Sequence, residues 1–139
     1  MKEFNFSPRP VVKICGEEFD LDITDVGMIS AIIDSFTNLT ERYQQLKKTR
    51  TEMMDLENEK EILKKMQHIE ELNRLIIETA KGFLYRVLGI EGYELIFKSR
   101  KPNAVEHIEL CNFVYAELLL NRTKHIEEKM KEEEENEED

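Results

Sequence analysis

The sequence has little cysteine, proline or glycine and no tryptophan. Its two cysteines, Cys15 and Cys111, lie far apart without a CxxC spacing, which argues against a disulfide scaffold or a zinc knuckle. No stretch approaches the roughly 20 apolar residues of a membrane span, and the first residues lack the apolar run of a signal peptide. From these absences we expect a cytoplasmic protein with reduced thiols that does not enter a membrane.

Sequence motifs of catalysis are also missing. No GxGxxG, GxxxxGK[ST], HExxH or GxSxG pattern occurs, and no histidine follows a glutamate by three positions as in di-iron helical bundles. His107 and Cys111 are four residues apart and share a helix face, but two ligands do not make a structural metal site. We interpret them as a buried cysteine beside a histidine at the rim of the core, and predict a non-enzymatic chain without cofactor or metal.

The charge is unevenly distributed along the chain. Charged residues make up 36% against a typical value of about 25%, which favours long helices with much solvated surface. The net charge is −10, and residues 126–139 alone hold nine acidic residues and two lysines, a net of −7. The chain lacks the basic stripe that displaces counterions from phosphates, so we expect neither nucleic-acid binding nor membrane attachment.

The first part of the chain predicts an irregular arm followed by a β-hairpin. Two of the three prolines fall in residues 1–10, which we interpret as a flexible arm. Two β-prone runs then flank Gly16, with Phe19, Leu21 and Ile23 alternating against acidic residues. Because a lone two-stranded hairpin is marginal in water, its apolar face should pack on a helix or pair with a strand of another chain.

The remaining sequence predicts helices. Apolar spacings of three and four give one helix over residues 25–52, capped by Thr24 or Asp25, and a second over 56–88 that is out of phase with the first. These two either fold back as a hairpin, which we favour, or continue through a stutter. A third helix covers about 103–130. We therefore predict a mainly α fold with one domain at 11–130 and a disordered acidic tail at 131–139.

Candidate partner-binding residues fall in two places. The segment from Gly89 to Pro102 predicts a non-helical connection, with Gly92 continuing a turn. Tyr93, Leu95 and Phe97 would alternate along it and leave an apolar patch for a partner. Phe19 and Leu21 of the hairpin are the other candidates. The methionines, including Met53, Met54 and Met66, are either adaptable binding residues or, as we favour, filler of the helix seams.

Three segments, in this order along the chain, have an arrangement that resembles a known protein family. These are the strand pair with "CGEEFDLDITD", the glycine-broken connector "FLYRVLGIEGYELIF" and the late helix of "PNAVEHIELCNFVYAEL". The layout resembles the small tail assembly chaperones of long-tailed bacteriophages and of prophage elements in Gram-positive bacteria. The resemblance implies a non-enzymatic chaperone that coats the helical tape measure protein and recruits tail tube subunits, and that forms a homo-oligomer. It assigns no individual functional residue.

The alternative is a structural protein. An oligomeric coiled-coil adaptor or scaffold would pair the same helix seams between chains, and its acidic tail would serve solubility only. The two hypotheses differ in their response to substitution: an adaptor should tolerate polar changes at Phe97 and lose its oligomer on Leu72→Asp, whereas a chaperone should lose client binding on Phe97→Asp.

Overall fold

The structure, a computed structural model, describes residues 1–101 and 103–138, with side chains up to residue 135. Residues 1–10 form no regular secondary structure. The predicted fold class is confirmed: a two-stranded antiparallel hairpin precedes three helices. The elements are β1 (Val11–Ile14), β2 (Glu17–Asp20), α1 (Val26–Met54), α2 (Glu59–Phe97) and α3 (Ala104–Glu138).

The hairpin turns tightly between its two strands. Val12 lies opposite Phe19, and Cys15 and Gly16 connect the strands with φ angles of 51° and 85°. Two successive residues with positive φ match the right-handed twist of a hairpin, which explains why the turn needs only two residues. Val12 and Ile14 are buried, whereas Val11 and Lys13 face solvent. One face of the hairpin therefore belongs to the core.

That apolar face packs on α2 within the chain. Gly92 lies inside α2, and an alanine Cβ at this position would come within 2.9 Å of Phe19 Cε1. The prediction that Gly92 continues a turn is therefore wrong, because the missing side chain makes room for the Phe19 ring. Of the two predicted possibilities for the hairpin, the structure has the first, packing on a helix.

Helices α1 and α2 form the predicted helical hairpin. Asp25 is the N-cap of α1, and its carboxylate accepts a hydrogen bond from the Met28 N–H at 2.9 Å. Ile32, Leu39 and Leu46 are buried along the predicted seam, and α1 and α2 turn back on each other between residues 54 and 59. Each helix thus buries its apolar stripe against the other within one chain.

Helix α2 extends beyond its predicted end. Gly89 has a left-handed φ of 78°, as predicted, but the helix resumes immediately and continues to Phe97. The predicted non-helical connection is wrong over residues 90–97, because Tyr93 and Phe97, four residues apart, form one helical face against the start of α3, whereas residues 98–101 are non-helical as predicted. Gly89 is a kink within the helix.

Helix α3 is buried only along its first half. Asn103 caps it by accepting from the Val105 N–H at 2.8 Å, and Cys111, Val114 and Leu118 enter the core. After Leu118 no described side chain is buried. The helix continues to Glu138, past the predicted end near residue 130. The predicted disorder of residues 131–139 stays a prediction, and residue 139 lies outside the described part of the chain.

Candidate functional site

Within the described residues, the far end of the α1–α2 hairpin has no third helix packed against it. Helix α3 begins beside the middle of α1, where Ile108 and Tyr43 line the same small cavity. Beyond this level the last buried residue of α1 is Thr49, and in the described part of α2 none is buried before Leu72. Two helices alone cover only one stripe of each other, so this end leaves apolar side chains in water.

These exposed side chains line a groove between the two helices, which we call the methionine groove. Its volume is about 420 Å³, and its surface is almost entirely apolar. Met54 is 82% exposed and Met66 is 47% exposed, values that are high for large apolar side chains. The lining residues are Arg50, Met53, Met54, Met66, Ile69 and Glu70.

Local interactions fix the two helix ends that form the groove. The Asp55 N–H bonds to carbonyls in the last turn of α1, and the Asn58 side chain accepts from the first free N–H groups of α2. Lys65 Nζ lies 2.7 Å from Glu52 Oε2, and this hydrogen bond lowers the pKa of the Glu52 carboxyl. At 100° per residue, Glu52 lies on the opposite side of α1 from Met54, so the ion pair leaves the groove open.

A buried hydrogen-bonded histidine lies at the junction of α2 and α3. His107 is fully buried, so its predicted place at the rim of the core is wrong. Its Nδ1 lies 2.7 Å from the carbonyl oxygen of Asn103, which only accepts, and its Nε2 lies 2.6 Å from the Tyr93 hydroxyl. Nδ1 therefore carries the proton and Nε2 accepts from Tyr93. The Phe97 ring stacks on the imidazole at 4.3 Å, which completes the enclosure.

The second member of the predicted pair, Cys111, is equally enclosed. Burial raises the pKa of its thiol to about 12, and Sγ lies 3.9 Å from the Ala80 carbonyl oxygen. A thiol in this state is a poor nucleophile. Among the described residues, no three histidine, cysteine, aspartate or glutamate side chains are grouped to hold a metal ion. The His107 and Cys111 side chains serve the packing of α3.

His107 should make the stability of the protein depend on pH. Burial lowers the pKa of folded His107 below its ordinary value of 6.5. The unfolded chain takes up this proton first, so the free energy of unfolding should fall as pH drops below 6.5, by up to about 1.4 kcal/mol per pH unit. Urea unfolding at about pH 7.5 and about pH 5.5 measures the difference.

The matched control for this titration is His107→Gln, which retains polar groups but cannot titrate. The variant should be less stable than the original protein at neutral pH and should show a clearly smaller loss between the two pH values. An equal loss in both proteins would assign the pH dependence to other groups.

The five predicted partner-binding residues do not form one surface. Leu21 is 0% exposed and Tyr93 is buried, so neither side chain has surface for a partner in this conformation. Phe19 is half-buried over Gly92, and Phe97 is half-buried on His107. The hypothesis that Tyr93 and Phe97 alternate with Leu95 along an extended segment is wrong, because that segment is helical. Only Leu95 is exposed, at 41%, and its role stays a prediction.

Sequence reasoning favoured the methionines of the groove as seam filler. The structure shows that Met54 and Met66 extend beyond the seam, because α3 does not reach this end of the hairpin. The signal available in the sequence was the adjacent pair Met53 and Met54 directly before a polar turn. Such a pair places two apolar side chains 100° apart, more than one helix neighbour can cover.

Comparisons with known proteins do not identify the chain. No protein-family model, curated protein or solved structure matched it. Within the described residues, no helix has both the length and the apolar character needed to cross a bilayer. The grounds for a function are therefore the geometry of the methionine groove and the layout of the sequence.

Proposed function

We propose that this chain is a non-enzymatic chaperone that covers apolar helical segments of a client protein with its methionine groove. The single observation that carries the proposal is the exposed, methionine-lined end of the α1–α2 hairpin. The resemblance in layout to phage tail assembly chaperones supplies the client: the tape measure protein, with tail tube subunits recruited afterwards. A tape measure protein has long apolar helical stretches that need cover until the tail is built.

The shape of the groove supports a helical client. A cavity of about 420 Å³ between two helices accepts successive apolar side chains from one face of a third helix. The client helix would occupy the position that α3 leaves empty, and would complete a three-helix unit at this end of the hairpin. Burial of Met54 and Met66 would provide the driving force, as for other apolar surface removed from water.

The chemistry of methionine supports a client with many different segments. Methionine is unbranched and polarisable, so its side chain adapts to partners of different shape at little cost. Arg50 and Glu70 lie at the edges of the groove and carry opposite charges, so polar flanks of either sign can approach. A groove of this composition suits a chaperone, which must accept successive sequences of one long protein.

The coiled-coil adaptor needs the seams of α1 and α2 to pair between chains. In the structure these seams pack against each other within one chain, and Leu72 is already buried there. This packing favours the chaperone. It also changes the expected result of the Leu72→Asp substitution. The carboxylate would lie in the core of the monomer and unfold it, whereas an adaptor would lose its oligomer.

The proposal is tested by co-expression with the proposed client, a phage tape measure protein. The original chain should keep the client soluble in a stoichiometric complex on size-exclusion chromatography with light scattering. Met54→Glu with Met66→Glu places two carboxylates in the groove, and should weaken binding at least about tenfold, since buried apolar anchors dominate such interfaces.

Met130→Glu is the matched control. Met130 is exposed in the C-terminal part of α3, and the substitution is the same methionine-to-glutamate change as in the groove. This variant should bind the client like the original chain. Circular dichroism must show that all variants unfold at similar temperatures. A groove variant that keeps the client soluble with unchanged affinity would contradict the proposed site, and a client that stays insoluble with the original chain would contradict the chaperone function.

A further inference from the structure

A positively charged pocket lies at the end of α2, in a chain whose net charge is −10. Its volume is about 240 Å³, and we call it the basic pocket. Three cationic side chains and one carboxylate surround two aromatic rings. The lining residues are Lys81, Tyr93, Glu94, Phe97, Lys98 and Arg100. Because Lys101 follows directly in sequence, residues 98–101 hold three cations in four positions.

The arrangement of these groups suits a carboxylate on a short apolar stem. Lys81 Nζ lies 5.8 Å from the centre of the Tyr93 ring, and Phe97 packs beside Tyr93 with ring centres 4.7 Å apart. Arg100 Nη1 lies 2.7 Å from Glu106 Oε2, so a carboxylate in the pocket would share the Arg100 guanidinium with Glu106. A glutamate side chain would place its methylenes on the half-buried Phe97 ring and its carboxylate among the cations.

The chain itself carries such side chains at the other end of α3. Residues 126–139 include nine acidic residues and two lysines. The described glutamates of this segment, among them Glu133 and Glu134, are exposed to solvent. The charge of the segment is therefore opposite to that of the basic pocket. No described side chain covers the described glutamates of the segment.

The acidic segment cannot reach the basic pocket of its own chain. The pocket lies just before Ala104, and α3 runs as one helix from Ala104 to Glu138. At about 1.5 Å per residue, Glu127 is roughly 35 Å along the helix from Ala104, and later residues are farther still. Any carboxylate that fills the pocket from this segment must come from another molecule.

We propose that the acidic segment of one copy docks in the basic pocket of a second copy. The two surfaces differ, so the contact is head to tail: the copy that donates its segment keeps an unused pocket, and the copy that receives it keeps an unused segment. Repetition of the contact builds a ring or an open chain. The contact uses neither the methionine groove nor the hairpin, so it stands independently of the proposed client binding.

Light scattering of the full chain on size-exclusion chromatography tests the proposal. The mean mass should rise with protein concentration at low salt and return to that of the monomer at about 0.5 M salt, where exposed charges are screened within a few ångströms. A monomer at every concentration in low salt would overturn the proposal. Association that does not respond to salt would overturn it as well.

Charge reversals identify the two surfaces. The pocket variant is Lys98→Glu with Arg100→Glu, and the segment variant is Glu133→Lys with Glu134→Lys. Each should weaken self-association at least about tenfold, since several ion pairs become repulsions. Lys124→Glu, an exposed lysine outside both surfaces, is the control and should associate normally. Undiminished association of the pocket variant would show that copies meet elsewhere, and would overturn the proposal.

A mixture of the two variants gives the sharpest result. The pocket variant still has an intact acidic segment, and the segment variant still has an intact basic pocket, so the mixture has one working contact. It should form a 1:1 heterodimer that grows no further, whereas each variant alone remains monomeric. A mixture that stays monomeric, or that forms large assemblies, would contradict a head-to-tail contact between these surfaces.

Discussion

Replacement of Phe83 by alanine should lower the free energy of unfolding by about 3–5 kcal/mol. Phe83 is the largest fully buried side chain, with 1% of its surface exposed, and it belongs to the core cluster in which all three helices and the hairpin meet. Alanine would remove the ring and leave a cavity that rigid helices on several sides cannot close. Urea unfolding followed by circular dichroism measures the loss.

Phe113→Ala is the matched control for this prediction. Phe113 lies on α3 and is 42% exposed, so its removal should change the free energy of unfolding by no more than about 0.5 kcal/mol. A loss below about 1 kcal/mol for Phe83→Ala would mean that the core is packed differently around α2.

Replacement of Leu21 by alanine should destabilise the protein by about 2–5 kcal/mol and should not act directly on client binding. Leu21 follows β2 and is 0% exposed, and its N–H donates to the Pro10 carbonyl oxygen at 2.8 Å. Its side chain holds the base of the hairpin in the core. Thermal unfolding and the co-expression assay, measured on the same variant, separate the two effects.

Leu95→Ala is the comparison for Leu21→Ala, since Leu95 was predicted for the same role and is exposed. It should leave stability within about 0.5 kcal/mol of the original protein. If Leu21→Ala lost the client while its unfolding temperature stayed unchanged, the sequence-based hypothesis of a partner-binding Leu21 would be correct after all.

The parts of the fold that were predicted from sequence are those that local chemistry determines. The cap of α1 at Asp25 depends on one carboxylate and a nearby N–H group. The hairpin depends on alternation around Gly16, and the fold-back of α1 on α2 follows from two seams that must each be covered. In the first two cases the necessary residues lie close together in sequence, and in the third each seam can be read within its own helix.

The last part of α2, residues 90–97, was missed because its structure depends on a distant residue. Gly89 locally satisfies every requirement of a helix end, and its φ of 78° agrees. The helix nevertheless resumes, because Tyr93 and Phe97 enclose His107 from α3, and only a helical spacing of four brings both rings to it. No pattern near residue 89 contains this information.

The methionine groove was missed for a related reason. Met53 resumes the seam of α1 after Arg50, which stands where an apolar residue is expected, and Met66 belongs to the seam of α2, so periodicity alone assigns both to the interior. Whether they are covered depends on where α3 begins along the hairpin, which is a property of the tertiary fold. The basic run at 98–101 and the acidic segment were visible in sequence, but the distance between them required the length of α3.

The limited reach of α3 along the hairpin also divides the molecule energetically. Buried residues are confined to the zone where three helices overlap, while the tip of the hairpin and the far half of α3 project from its opposite ends. Backbone amides in these projections can open to exchange with solvent without unfolding the central zone. The methionine groove and the acidic segment are thus carried by the regions that cost least to reshape when a partner binds.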